Sequence, residues 1–269
     1  MFKDILLQTT LTDRYNLHSH TEFCDGKATM EAFARKAVEY RFSLYGFTPH
    51  SPIPFHSPCN MLADKVGRYL NECDIIRERH PETKFLKGME IDYLGKDYGP
   101  AIPYFRDMGL DYSIGSVHFI RTQKGEWVDI DGSNEAFASR LVNYFSNDLD
   151  YIIKSFFEQS LEMISAGGFD IIGHFDKIAD NADFISPGIE DNTRFIDSVD
   201  NLIDEIASAG ITAEINTKKY DSKKRFFPRT VFWKKLKQKN IPIVVNSDAH
   251  VPALINAGRD EALKILKEL

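Results

Sequence analysis

Seven short runs rich in apolar and β-branched residues recur along the chain, and each is followed by a longer stretch with room for a helix. They fall at Tyr15 to His18, Ser43 to Thr48, Lys84 to Glu90, Tyr112 to His118, Asp170 to His174, Ile211 to Asn216 and Ile241 to Asn246. Strand followed by helix, repeated, is the pattern of a parallel sheet with helical crossovers. Over 269 residues it suits one closed βα barrel better than two separate domains. No Pro-, Gly- or Ser-rich linker divides the chain, so a single domain spanning 1–269 is expected.

Between the runs the helical period is explicit. Met30, Phe33, Ala34, Ala37 and Val38 recur at three and four residues and so share one face, with Thr29 placed as a cap. The same spacing marks Asp150 to Leu161 and Ala253 to Leu266. It also marks Asp191 to Ala209, where Phe195, Val199, Leu202, Ile203 and Ile206 form the stripe and Gly210 is a stop. The stretch from Thr48 to Asn60 carries Pro49, Pro52, Pro54 and Pro58, too many for a helix or a central strand, and is expected to loop over one barrel mouth. A second loop is expected from Arg121 to Asn134.

Composition removes several classes of function. With 33 basic against 40 acidic side chains and no long single-sign block, the chain lacks the make-up of a phosphate-neutralising surface, and no nucleic-acid partner is expected. No apolar run approaches the ~20 residues that cross a bilayer, so no membrane partner is expected. The segment Met1 to Asp13 lacks the apolar core of a signal peptide, which makes the cytoplasm the expected compartment. Cys24, Cys59 and Cys73 are an odd number without paired spacing and read as free thiols.

The histidines are the informative feature. Of eight, six lie at or just beyond the end of an expected strand: His18, His20, His50, His118, His174 and His250. Glu90 ends the third run, and Asp248 follows the seventh. Side chains at the C-terminal ends of βα-barrel strands converge on one mouth, so residues remote in sequence are expected to form a single cluster. Each has an ordinary alternative. His18 and His20 could be two same-side strand residues, His118 and His174 hydrogen-bonded rim histidines, His50 an exposed loop residue, and Asp248 the N-cap of the last helix. The joint placement of eight ligand-type residues at strand ends favours a metal cluster. Imidazoles with carboxylates suit divalent zinc, iron or manganese, and the set exceeds what one ion needs.

In order, the motifs are Leu17-His18-Ser19-His20-Thr21 with Cys24-Asp25-Gly26, Thr48-Pro49-His50, Gly88-Met89-Glu90, Gly115-Ser116-Val117-His118-Phe119, Gly173-His174-Phe175-Asp176, Glu214-Ile215-Asn216-Thr217 and Ser247-Asp248-Ala249-His250. This ordered set resembles the PHP (polymerase and histidinol phosphatase) family across nearly the whole chain. The resemblance implies a distorted seven-stranded (β/α)7 barrel around a trinuclear centre. It places His18, His20, Glu90 and Asp248 on the first metal, and Glu90 as a bridge with His118 and His174 on the second. The third would take His50, His250 and a ligand from the segment after the HxH pair. Some family members have histidine in that segment; here it offers Asp25, favoured as a hard donor, or Cys24.

Within the family the Gly-Ser-Val-His-Phe and Gly-His-Phe-Asp forms are most similar to members that hydrolyse L-histidinol phosphate in histidine biosynthesis. The implied activity is that of a metal-dependent phosphomonoesterase with a small phosphate-monoester substrate, in which Glu90 bridges the ions and Asp248 shuttles a proton. Phosphate also calls for cations, and Lys218, Arg121 and Lys177 lie near expected strand ends, with Lys218 preferred. A carboxylate is expected for the amino alcohol, from Asp129, Asp131 or Asp176. Each of the three cations is more often a solvated surface residue, and for Asp129 and Asp131 an ordinary polar loop is at least as good a reading. Competing functions are a diesterase or nuclease of the same family and a non-catalytic metal-binding barrel. An amidohydrolase is more distant, since no lysine sits at a matching strand end.

Overall fold

The computed structural model describes residues 2–269. Every expected run contains strand: β1 (Tyr15–Asn16), β2 (Leu44–Phe47), β3 (Lys84–Lys87), β4 (Glu90–Asp92), β5 (Ile114–Ser116), β8 (Ile171–Ile172), β9 (Thr212–Asn216) and β10 (Ile243–Asn246), with β6 (Phe119–Arg121) and β7 (Trp127–Asp129) inserted after β5. The fold is α/β with two parallel sheets, ordered β1-β2-β3 and β10-β9-β8-β5-β4.

The pairing does not reproduce the single ring of seven strands expected from the sequence. The third run breaks at Gly88-Met89, so that β3 ends one sheet and β4 ends the other. Pro49 follows β2 and has no N–H with which to continue its ladder. Beyond it the two segments meet through the His50–Glu90 bridge, with Glu90 N donating to Pro49 O at 3.1 Å, and through Asp92 N donating to Ser51 Oγ at 3.2 Å. Gly88 is required at the break, because a Cβ there would lie 2.7 Å from the Tyr112 ring and 2.9 Å from the Phe47 carbonyl oxygen. At the other junction, β10 and β1 are joined by side-chain amides. Leu17 N donates to Asn246 Oδ1 (2.8 Å) and Ser247 N to Asn16 Oδ1 (2.9 Å), before a single bridge at Ser19–Ala249.

The loop expected over Arg121 to Asn134 is in part a hairpin, β6 pairing antiparallel with β7 around Gly125 in the left-handed region (φ 92°). The proline-rich stretch after β2 has no regular element before Ala63.

Helices follow their caps. Thr29 accepts from Ala32 N to start Met30–Glu39, Asp148 caps Leu149–Ala166, and Asn192 caps Thr193–Ala209, which Gly210 closes in the left-handed region. The last helix, Arg259–Glu268, starts later than expected because Pro252–Leu254 forms a 3₁₀ turn and Gly258 has φ 70°. Among the described residues seven helices go beyond the expected set, including Phe2–Thr10, Val66–Arg79 and Asn134–Phe145. The first closes an apolar cluster in which Tyr15, Leu44, Leu86, Ile114, Ile171 and Val244, drawn from both sheets, meet Ile5. Side chains of both sheets therefore share one interior, apolar toward the N-terminal ends of the strands. Arg259 is fully buried, donating to Val245 O (3.0 Å) and lying over the rings of Tyr15 (5.0 Å) and Phe42 (5.3 Å), which ties the last helix to the first strand.

Candidate metal centre

The polar side chains begin where the apolar cluster ends, at the C-terminal ends of the strands. Asn16, His18 and His20 alternate on one side of the extended segment that β1 begins. His50, His118, His174, Asp248 and His250 each follow a strand, and Glu90 opens β4 beyond the break. All are buried except His250 and Asp25, which are partly exposed. Asp248 sits in the left-handed region (φ 48°), which aspartate tolerates better than most residues.

Ligands about 2.1 Å from one ion at tetrahedral angles lie roughly 3.4 Å apart, and the spacings here match. His18 Nε2 is 3.1 Å from His20 Nε2 and 3.3 Å from Glu90 Oε2, while His20 Nε2 is 3.1 Å from Asp248 Oδ1. The other oxygen of Glu90, Oε1, is 3.0 Å from His174 Nε2 and 3.4 Å from His118 Nε2, and those two nitrogens are 3.3 Å apart. One carboxylate is thus shared between two groups of imidazoles. A third group gathers around Asp25, whose Oδ1 is 3.3 Å from His250 Nε2 and 3.9 Å from both His20 Nδ1 and His50 Nε2. His50 faces two ways, since its Nδ1 is 3.0 Å from Glu90 Oε2. Cys24 lies against His20, Sγ to Nδ1 3.4 Å, and burial followed by the charge of Asp25 pushes its thiol up to about 12, away from the thiolate that binds metal.

Glu90 Oε2 and Asp25 Oδ1 are buried without a hydrogen-bond partner. Buried carboxylate oxygens are rarely left so, and both point among imidazole nitrogens, which is the arrangement a divalent cation satisfies. Electrostatics agree. Burial opposes ionisation of Glu90, yet His18, His118 and His50 outweigh it and hold the carboxyl well below its usual range. Burial lowers the proton affinity of His18, but Glu214, Glu90 and Asp248 overcome it and raise it well above the usual value. Burial, then His250 and His50, holds His20 neutral.

A further layer of residues orients these ligands, and the histidine pattern alone did not reveal it. Glu214 Oε1 accepts from His18 Nδ1 (2.7 Å) and Asn246 Nδ2 (2.9 Å), and its Oε2 from His174 N and Asn216 Nδ2 (both 3.1 Å). Asp92 Oδ1 pairs with His118 Nδ1 at 2.8 Å, and Ser116 Oγ donates to Glu90 Oε1 at 2.7 Å. The signal was strand alternation: Asp92 is two residues from Glu90, and Glu214 two from Asn216. Carboxylates behind ligating histidines fix ring orientation and basicity. Glu214→Gln is expected to weaken divalent-ion affinity by about 10- to 100-fold, since an amide nitrogen would oppose either the donors at Oε2 or those at Oε1. Competition with a chromophoric chelator reads this directly, and unchanged affinity would mean that His18 is oriented by other contacts.

Beside the cluster lies a cavity of about 360 Å³ whose walls include Asp25, His50, His118 and His250. Lys218 and Lys177 line it. Lys218 Nζ is 3.4 Å from both Asp248 Oδ1 and His250 Nε2, and Lys177 Nζ is 2.5 Å from Asp131 Oδ2. Cys59 and Asn60, from the proline-rich loop, form part of the wall. Two expected substrate residues are elsewhere. Arg121 is exposed on the hairpin, bonded to Gly125 O (3.1 Å) and lying over Trp127, because β6 carries it outward. Asp176 is fully buried outside the cavity wall, where it accepts from Arg229 N at 2.8 Å, and burial pushes its carboxyl up to about 7.

A parallel α/β fold carrying buried His, Glu and Asp at its strand ends defines a divalent-metal-binding protein. The PHP domain model matches residues 16–218, and the chain belongs to that family. A Bacillus subtilis protein named histidinol-phosphatase is 24% identical over 87% of this chain and 92% of its own length. A Deinococcus radiodurans protein provisionally given that name is 24% identical over 96% and 95%. Two solved structures share the fold. One, a protein of Listeria monocytogenes provisionally named histidinol phosphatase, has TM-score 0.81 and 19% identity over 92% of this chain and 99% of its own. The other, histidinol phosphate phosphatase of Lactococcus lactis in complex with zinc, L-histidinol and phosphate, has TM-score 0.69 and 18% identity over 95% and 93%.

Proposed function

We propose that the chain is a metal-dependent phosphomonoesterase that hydrolyses L-histidinol phosphate to L-histidinol and phosphate. The observation that carries this is Glu90, a single buried carboxylate shared between two groups of imidazoles, whose members His50 and His118 line a cavity with cationic and anionic walls. The names of its relatives, and the zinc, histidinol and phosphate held by the Lactococcus protein, support the substrate. The reading includes one PHP-type unit over the whole chain, its two sheets forming an interrupted barrel of the (β/α)7 kind, at work in the cytoplasm. No helix among the described residues is long and apolar enough to cross a membrane.

In this reading His18, His20, Glu90 and Asp248 hold one ion, Glu90, His118 and His174 a second, and Asp25, His50 and His250 a third, with zinc, iron or manganese as fitting ions. When bound, such ions supply Lewis acidity, which activates water and offsets phosphoryl charge. The chain's own groups do the rest. Lys218 is placed to draw a phosphoryl oxygen toward Asp248 and His250. Lys177, held by Asp131, adds positive charge to the same cavity; burial lowers its proton affinity, but Asp131, then Asp248 and Glu90, more than restore it and keep it protonated. Asp248 is hydrogen-bonded by Asn216 Nδ2 at 3.1 Å, and although burial opposes its ionisation, Lys218 and His18 hold it ionised. It would take up the proton that the attacking water loses and pass it to the ester oxygen of the departing alcohol.

Phosphate release from L-histidinol phosphate, measured beside other monoesters and a diester on protein of counted metal content, tests this. A preference of several orders of magnitude for histidinol phosphate is expected. Equal turnover of many esters would discard that substrate, and no turnover with metals bound would discard the enzyme.

A further inference from the structure

Resting on the histidinol phosphate reading, we infer that Asp129 is the specificity-determining residue that receives the substrate's ammonium group. The amine of an amino alcohol is mostly protonated at neutral pH, and enclosing it beside divalent ions requires a carboxylate free to face it. Three carboxylates line the cavity: Asp25, Asp129 and Asp131. Asp25 is turned into the histidines, 3.3 Å from His250 Nε2. Asp131 is committed to Lys177 at 2.5 Å.

Asp129 differs from both. Its ion pair is with Arg140, Nη2 to Oδ2 3.1 Å, on the helix Asn134–Phe145, and Arg140 does not line the cavity. Asp131 N donates to Asp129 Oδ1 at 2.7 Å, and Arg140 Nη1 to Asp131 O at 2.7 Å. The carboxylate is therefore gripped from the protein side while a quarter of its side chain stays exposed. Burial, and then the charge of Asp131, push its carboxyl upward, so it stands to gain from an incoming cation. The ammonium sits on the carbon next to the ester methylene and takes no part in breaking the P–O bond, so such a contact selects among esters by binding energy outside the reacting atoms.

The test uses the metal-loaded full chain with two esters, L-histidinol phosphate and its des-amino analogue 3-(imidazol-4-yl)propyl phosphate. Wild type should prefer the amino ester in kcat/KM by on the order of 10- to 100-fold, the span of a hydrogen bond to a charged group. In Asp129→Asn that preference should collapse, whereas in Asp131→Asn it should persist although both rates fall. An Asp129→Asn protein that keeps the preference overturns the assignment. As a measurement needing no variant, L-histidinol should inhibit wild type more tightly than 3-(imidazol-4-yl)propanol by a similar factor, and equal inhibition overturns the assignment too. If wild type instead hydrolyses other phosphates but neither imidazole ester, the substrate reading fails first and the role of Asp129 falls with it.

Discussion

Replacing Glu90 with glutamine is expected to lower kcat/KM for phosphate release by roughly 10³-fold or more and to remove at least one divalent ion per chain. Both carboxylate oxygens are engaged: Oε2 faces His18, His20 and His50 within 3.4 Å, and Oε1 faces His174 and His118. An amide supplies one acceptor and one donor, so one of the two imidazole groups would meet an N–H where it needs an anion. The substitution also removes a charge shared between the groups, leaving His18 and His118 without their common counter-ion. Elemental analysis of the purified variant and its steady-state rate check this together. A variant that kept full metal content and full rate would mean that Glu90 bridges nothing.

Removal of metal by chelation is expected to abolish turnover and to lower the thermal unfolding midpoint by about 10 °C or more. Each ion at 100 times its dissociation constant adds about 2.7 kcal/mol, and a domain of this size shifts by about 2–4 °C per kcal/mol. The loss should depend on pH. Burial lowers the proton affinity of His118, but Glu90 and Asp92 raise it to about 9, against about 6.5 in an unfolded chain. A histidine raised in this way stabilises the metal-free protein fully below the unfolded value, and the contribution fades as pH rises through the folded value. Metal-free protein should therefore lose stability between about pH 6.5 and 9, and the midpoint gained on adding zinc should be larger at the alkaline end, where fewer protons are displaced. Differential scanning calorimetry at several pH values measures both. A midpoint indifferent to chelator would mean that the cluster holds no ion.

Much of the centre was legible because its chemistry is concentrated in few residues. Six histidines at strand ends have one geometric consequence in a parallel α/β fold, and the structure gathers those same six side chains within a few ångströms of Glu90 and Asp25. The orienting layer was harder to read. Asp92, Glu214 and Asn216 are ordinary polar residues until the strands place the first two behind a ring nitrogen and the third between the carboxylates of Glu214 and Asp248. Arg121 and Asp176 misled for a related reason, since nearness to a strand end in sequence does not fix which side of the strand a residue takes, and a hairpin or a buried loop contact carried each one away. The break at Gly88-Met89 was hidden because Lys84 to Glu90 reads as one apolar run; only the missing N–H of Pro49 on the neighbouring strand marks it. The helix Val66–Arg79 was present in the spacing of Tyr69, Cys73 and Ile76, its buried face.

The junction where β10 meets β1 through asparagine side chains has a consequence in time. His18 and His20 are among the first ligands to be synthesised, and Asp248 and His250 are the last, and they meet across that junction. A growing chain carries the early histidines long before their partners emerge. The centre is complete only when the final strand has docked, so assembly of the reaction site is tied to the closing event of folding, and a chain interrupted before that strand would hold an intact first sheet without the groups that complete its chemistry.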